Sequence, residues 1–299
     1  MISGPGSDAG AGSDPGPEQG RAPDGAIAIV TGGNSGIGKE TVRGLARAGR
    51  RVILAGRDAA ACAAAAAELS ADVRDPERVS AWPLDLARRA SVRAFAARAR
   101  AELPRLDILV CNAGVWPRER RTTADGFELA FGVNHLGHFL LTRELEPLLR
   151  TSAPARVVVV SSGLHVRGRM AWDDLMHSRG RFGSTDVYAQ SKLANLLHTF
   201  ALARRLAGTG VTANALHPGV VRTNLARELP ELLMSMAGPF LRTPARGAET
   251  SLHLALAPDL ATVTGRYFDN RKPTKPSTIA MDRASQERLW TVSDQLVGG

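Results

Sequence analysis

The first chemical signal in the chain is a tyrosine and a lysine at helical spacing. Tyr188 and Lys192 bracket the stretch Tyr188-Ala189-Gln190-Ser191-Lys192, which runs into an apolar rhythm of Leu193, Leu196, Leu197 and Phe200. In a helix of that rhythm, residues four apart share a face, so the ammonium lies over the turn that carries the phenol. A free phenol titrates near ~10 and carries protons poorly at neutral pH; an adjacent cation is expected to lower that value. Tyr188 is therefore a candidate acid/base. An exposed phenol beside a solvated charge is the ordinary reading of such a pair, so the case depends on what else the chain supplies.

A second signal lies near the start. Residues 26–30 form a short apolar run rich in β-branched side chains, followed by Thr31-Gly32-Gly33-Asn34-Ser35-Gly36-Ile37-Gly38, which opens a helical segment over 37–48. Strand, glycine loop and helix in that order make a pyrophosphate cradle. Glycines let the backbone turn tightly and approach phosphate, and the helix N-terminus offers unpaired amides and partial positive charge. Gly32, Asn34, Ser35, Gly36, Ile37 and Gly38 are the candidate dinucleotide contacts, although the spacing departs from G-x-G-x-x-G. The next strand, 51–55, ends in Gly56 and Arg57, where an arginine can take a ribose 2′-phosphate and an acid would take a 2′-hydroxyl. NADP(H) is favoured over NAD(H) on that ground. Asp58 stands at the distance the simple NAD fingerprint asks for, but can equally cap the following helix.

Further candidates sit at the ends of later strands. Asp85 either bonds an adenine amino group or caps a helix. Asn112-Ala113-Gly114 provides small residues for a backbone lying against a cofactor, and Ser161-Ser162-Gly163 provides a hydroxyl that can donate to a substrate oxygen. Asn134, in an apolar helix over 131–139, must find hydrogen-bond partners, either as a structural bridge or by holding a water. His135 and His138 on that helix lack a third ligand and read as packing or surface residues. His217-Pro218-Gly219-Val220-Val221-Arg222-Thr223 is a rigid turn that can clamp a carboxamide, with Pro218, Gly219, Val220 and Thr223 as contacts. There is no G-x-S-x-G elbow, which weakens a hydrolase reading.

These residues are positioned by repeated βα units. Strands are expected at 79–84, 106–111, 156–160 and 211–216, separated by helical patterns from about residues 91, 125, 187 and 246. Near-continuous apolar strands between helices indicate an α/β fold: one Rossmann-type, doubly wound parallel sheet with helices on both faces, binding ligands beyond the strands' carboxyl ends. Residues 1–25 are Gly, Pro, Ser, Asp and Ala with little to bury, and read as a disordered tail before one domain over 26–299. Residues 225–243 contain an apolar segment that reads as a substrate lid.

Composition excludes other classes. The chain has 299 residues, 44% hydrophobic and 22% charged, as a soluble globular protein does. The net charge of +9 is spread along the chain, and aromatics are only 5%, which argues against nucleic-acid binding. No run is long enough to span a membrane, no signal peptide is evident, and Cys62 and Cys111 have no metal-like spacing; a cytoplasmic location is expected.

Taken in order, Thr31-Gly32 through Gly36-Ile37-Gly38, Asn112-Ala113-Gly114, Asn134, Ser162, Tyr188 to Lys192 and Pro218-Gly219 resemble the short-chain dehydrogenase/reductase family from residue 26 onward. The phrases Asn134-His135-Leu136-Gly137-His138-Phe139 and Ser191-Lys192-Leu193-Ala194-Asn195 are similar to its retinol dehydrogenase and WW-domain oxidoreductase branch. The resemblance implies that Asn134, Ser162, Tyr188 and Lys192 form a catalytic tetrad, and that Arg57 binds the 2′-phosphate of NADP. Asn134 would hold a water that relays protons to Lys192, and Lys192 would also bind the nicotinamide ribose. The chain shows neither a membrane anchor nor a WW module. The function expected is NADP-dependent hydride transfer to or from an apolar alcohol, aldehyde or ketone. The alternative is a non-catalytic NADP-binding sensor or scaffold. A homodimer or homotetramer is expected by resemblance, with an extended tail over 271–299 able to modify it.

Overall fold

The computed structural model describes Met1, residues 25–221 and residues 242–298. The tail expected over 1–25 and the lid expected over 225–243 fall almost wholly outside the described residues. Strands β1 (Ile27–Thr31), β2 (Arg51–Gly56), β3 (Val79–Pro83), β4 (Ile108–Cys111), β5 (Ala155–Val160), β6 (Val211–His217), β7 (Tyr267–Asp269) and β8 (Lys272–Pro273) form one sheet in the order β3-β2-β1-β4-β5-β6-β7-β8. All neighbours are parallel except β7 and β8. The order reverses between β1 and β4, so a crevice opens there beyond the strand ends, where open α/β sheets bind their ligands.

Alternation along the strands divides the core into two layers. Ile27, Ile29, Ile53, Leu109, Val157 and Val159 belong to one cluster, while Ala28, Val30, Val52, Leu54, Ile108, Val110, Val158 and Val160 belong to the other. Both faces are covered by helices, which is why the strands read as unbroken apolar runs. Helices α1 (Gly36–Arg47), α2 (Ala59–Asp72) and α6 (Pro244–Leu256) contribute side chains to the second cluster. Helices α3 (Arg89–Glu102), α4 (Gly137–Thr151) and α5 (Ser184–Arg205) contribute to the first. The alanine-rich α2 is more than a surface helix, since Cys62, Ala65, Ala66 and Leu69 are buried. Among the described residues no helix is long and apolar enough to cross a membrane.

Two expectations change and one open reading is resolved. The helical pattern expected from about residue 125 starts later: Thr122 bridges Glu128, whose carboxylate takes the amides of Ala130 and Phe131, and a π-helical turn over Phe131–Leu136 leads into α4. Of the two readings left open for His135 and His138, packing or surface, packing holds, for both are buried. The segment after residue 271 is an integral part of the domain. It forms β8, α7 (Thr278–Met281) and α8 (Arg283–Gly298), and α8 lies against α5 and α4. Trp290 packs edge-on against Phe139 with ring centroids 5.0 Å apart, and Glu287 pairs with Arg204 and Arg205.

Candidate active site

The glycine loop closes over the β1–β4 crevice because side chains would not fit. Gly32 has φ +65°, and a Cβ there would stand 3.0 Å from the Ala113 Cα. A Cβ on Gly38 would collide with the Gly32 carbonyl oxygen and lie 2.6 Å from the Asn112 amide nitrogen. Gly36 also has a positive φ, and α1 begins there behind Ser35, whose side chain makes no capping bond. The loop therefore presents bare backbone and an uncapped helix N-terminus toward the crevice, an arrangement that fits a pyrophosphate. Ile37 lies inside this shell, close enough to α6 that a Cβ on Gly247 would crowd it and Val221.

At the ends of β2 and β3 the ambiguous acids separate. Asp58 N-caps α2, its Oδ1 accepting from Ala61 N at 3.0 Å, so its carboxylate is engaged by its own helix. Arg57 is exposed, with no acidic partner among the described residues. Gly56 lies beside Asn34, 3.5 Å from a built Cβ to Oδ1, which brings the second strand's end to the glycine loop. Asp85 does not cap a helix; its Oδ1 accepts from Ala87 N within its own loop, and its other oxygen is 4.0 Å from Arg88.

The end of β4 is stitched to β1. Asn112 Nδ2 donates to the Thr31 carbonyl at 2.9 Å, and the amides of Asn112 and Ala113 donate to Thr31 Oγ1 at 2.9 and 3.0 Å. Asn112 thus shapes the loop through its side chain, while Gly114 stays exposed. A Cβ on Gly114 would come 3.4 Å from both Asn134 Oδ1 and Lys192 Nζ, which places the end of β4 beside both side chains.

The four candidate catalytic residues do converge. The π-helical turn delivers Asn134, whose amide donates to the Val115 carbonyl and to Ser191 Oγ at 3.0 and 2.9 Å and accepts from Val115 N at 2.7 Å. Its side chain bridges the Val115 backbone and Ser191 through both amide hydrogens and Oδ1. Ser191 passes the link on to the Tyr188 carbonyl. Ser162 ends β5, and its hydroxyl accepts from Leu164 N. Its loop is pinned by His217, which accepts from Gly163 N, and by His165, which bonds the Ser162 carbonyl. Lys192 Nζ donates to the Val160 carbonyl at 3.2 Å, leaving further donors of the ammonium for a group entering the cleft.

The electrostatics reverse one expectation. Burial pushes the Tyr188 phenol up to about 12, against the opposing pull of a hydrogen bond from the Ser162 hydroxyl. Burial also brings the Lys192 ammonium down to about 8. Helical spacing places Nζ 5.6 Å from the centre of the Tyr188 ring, but both groups are sealed from water, so desolvation outweighs the mutual attraction.

Two neighbours were not among the sequence candidates. Trp116 stacks on Tyr188 with ring centroids 4.3 Å apart and planes 8° from parallel, held by its indole N–H on the Ser184 carbonyl. The only sequence signal was its place four residues after Asn112. Thr31, seen only as part of the loop, is the node that joins β1 to β4. On the far rim, Gly219 has φ +85° and would crowd Arg242 with any side chain; Arg242 N donates to the Val220 carbonyl, and Pro218 is buried. Thr223 lies outside the described residues.

Comparison with known proteins agrees with this geometry. The family model described as short chain dehydrogenase matches residues 26–232. Retinol dehydrogenase 12 of Mus musculus is 49% identical over 276 residues, covering 92% of this chain and 87% of the relative. Among solved structures, an uncharacterized protein from Mycobacterium paratuberculosis superposes with a TM-score of 0.76 at 36% identity, covering 91% of this chain and 93% of the other. The NADP complex of Pseudomonas aeruginosa RhlG does so with 0.66 at 32% identity, covering 83% and 96%. With its fold, its glycine loop and a model match over most of its length in agreement, this chain belongs to the short-chain dehydrogenase/reductase family of nicotinamide-dependent oxidoreductases.

Proposed function

We propose that the protein is an NADP-dependent oxidoreductase that interconverts an apolar alcohol with its aldehyde or ketone. The observation that carries this reading is the buried Tyr188 phenol within reach of the Ser162 hydroxyl, with the Lys192 ammonium beside it and Gly114, at the end of β4, against that ammonium. The bound nicotinamide supplies or accepts the hydride. Gly32, Asn34, Ser35, Gly36, Ile37 and Gly38 hold the pyrophosphate end, with Asp85 toward the adenine. Ala113 and Gly114 give the cofactor backbone clearance, Lys192 binds the ribose, and Pro218, Gly219, Val220 and Thr223 face the carboxamide. Arg57 takes the 2′-phosphate, a preference supported by its having no acidic partner among the described residues and by the bond of Asp58 to its own helix.

Ser162 Oγ orients the substrate oxygen, and Tyr188 Oη transfers its proton. With a pKa pushed to about 12, the phenol is protonated at neutral pH, the state that donates to a forming alkoxide during carbonyl reduction. Asn134 organises the site from behind, through Val115 and Ser191. Trp116, flat against Tyr188, supports an apolar substrate. Because the mouse relative is named a retinol dehydrogenase, retinoid aldehydes belong in the substrate screen beside aliphatic and aromatic carbonyls.

The test is NADPH titration by fluorescence with NADH alongside, followed by that screen. Tyr188→Phe is expected to keep NADPH affinity and lose turnover by at least about a hundredfold. NADPH binding without turnover of any carbonyl would overturn the catalytic reading in favour of a sensor or scaffold.

A further inference from the structure

The structure assigns His138 the role of a positioning residue, one imidazole that ties the cofactor crevice to the proton-transfer site. His138 is buried in the first turn of α4, with Nε2 2.9 Å from Thr31 Oγ1 and Nδ1 3.0 Å from the Asn134 carbonyl. Protonation states follow from the partners. A carbonyl only accepts, so Nδ1 carries hydrogen. Thr31 Oγ1 already accepts from the amides of Asn112 and Ala113, so its own proton is available to Nε2, and Nε2 is bare. The alternative acceptor for that proton, the Val110 carbonyl, is 3.4 Å away. The ring is neutral as this arrangement needs, since burial lowers its pKa to about 4 against the opposing pull of the bond to the Asn134 carbonyl, with the Lys192 charge helping to lower it.

The result is a continuous chain across the site. It runs from the Asn112 and Ala113 amides through Thr31 and His138 to the Asn134 carbonyl, then from the Asn134 side chain through Ser191 to the Tyr188 carbonyl. Neither an aliphatic side chain nor a hydroxyl at residue 138 can serve both ends. A ring nitrogen on each side spans the gap between β1 and the π-helical turn, and it places both Asn134 and the crevice edge in one register.

This inference rests on the proposed function for its NADPH and activity arms, and not for its NMR arm. Two isosteric halves of the imidazole separate its contacts. His138→Gln keeps an acceptor near the position of Nε2 and so the Thr31 link, but gives up the donor to Asn134. His138→Asn keeps a donor near the position of Nδ1 and gives up Thr31. With NADPH as probe, His138→Asn is expected to weaken the dissociation constant about tenfold with little change in kcat. His138→Gln is expected to keep NADPH affinity and lower kcat about tenfold, the scale of one buried hydrogen bond. Equal losses in both variants, or no loss in either, would overturn the assignment. Nitrogen-15 NMR of the unsubstituted protein decides the matter independently of folding of the variants and of any turnover. The Nδ1–H tautomer at His138 is expected, and the Nε2–H tautomer or a protonated ring at neutral pH would overturn it. If no carbonyl is turned over, the proposed activity falls, while the NADPH and NMR arms still decide the role of His138.

Discussion

Replacing Lys192 by Met should make the cofactor-free protein more stable while abolishing its chemistry. The Lys192 ammonium is sealed in the core with the Val160 carbonyl as its only hydrogen-bond partner among the described residues, and burial lowers its pKa from 10.5 to about 8. A tenfold loss of proton affinity corresponds to ~1.4 kcal/mol, so the charged form costs the folded state about 3 kcal/mol where both states are protonated. The folded pKa lies below the unfolded one, so the unfolded chain binds more protons in the window between them. Stability must then rise with pH from about 8 toward 10.5, and the penalty is fully present below about 8. Above about 10 the Tyr188 phenol works in the opposite sense, because its folded pKa is raised and its contribution falls as pH rises. Urea unfolding of both proteins at about pH 7 and about pH 10 isolates the lysine as the difference between them. Lys192→Met should be more stable by about 2–3 kcal/mol near pH 7, and most of that advantage should vanish near pH 10. A Met variant less stable than the parent at neutral pH, or a difference that does not narrow with pH, would refute the reasoning.

Three other outcomes follow from the same geometry. Gly38→Ala puts a methyl group onto the Gly32 carbonyl and the Asn112 amide, and should weaken NADPH binding at least about tenfold by titration while circular dichroism stays unchanged. Arg57→Glu should invert the NADPH to NADH preference, measured as the ratio of kcat/KM for the two cofactors; an unchanged ratio would remove Arg57 from the 2′-phosphate site. Trp116→Ala removes the plate against Tyr188, a stack worth about 1 kcal/mol, and should raise KM for bulky apolar carbonyls several-fold more than for small ones.

Short unbroken apolar runs located the strands and apolar periodicity most of the helices, because the strands are buried on both faces and the helices on one. What the run at 26–30 left open is the division of Ile27 and Ile29 from Ala28 and Val30 between the two core layers. Periodicity misplaced the start of the helix leading to Asn134, because a carboxylate cap from Glu128 and a π-helical turn obey no simple apolar period. It left 271–299 without a clear structure, because α8 is anchored by distant partners, Phe139 and His198 against Trp290 and the arginine pair against Glu287.

The site divides along the same line. Residue types and spacing sufficed for the glycine loop, for the arginine after β2 and for the Tyr188–Lys192 pair, because backbone clearance, charge and a shared helix face are local properties. Local sequence left Asp58 ambiguous between ribose and helix, and only its bond to Ala61 resolves its use. The direction in which the Tyr188 pKa moves was likewise beyond reach: four-residue spacing announces the cation, whereas the burial that outweighs it depends on Trp116, 72 residues earlier, stacked on the ring, and on the sheet packed against α5. His138 was visible as a helical histidine and nothing more. Its meaning depends on Thr31, 107 residues away, which the parallel sheet alone brings within hydrogen-bonding distance. The sequence by itself thus determined the chemistry on offer, since that resides in side-chain types and short-range geometry; the tertiary structure decided protonation, partners and positioning, since these depend on desolvation and on contacts between segments far apart in the chain.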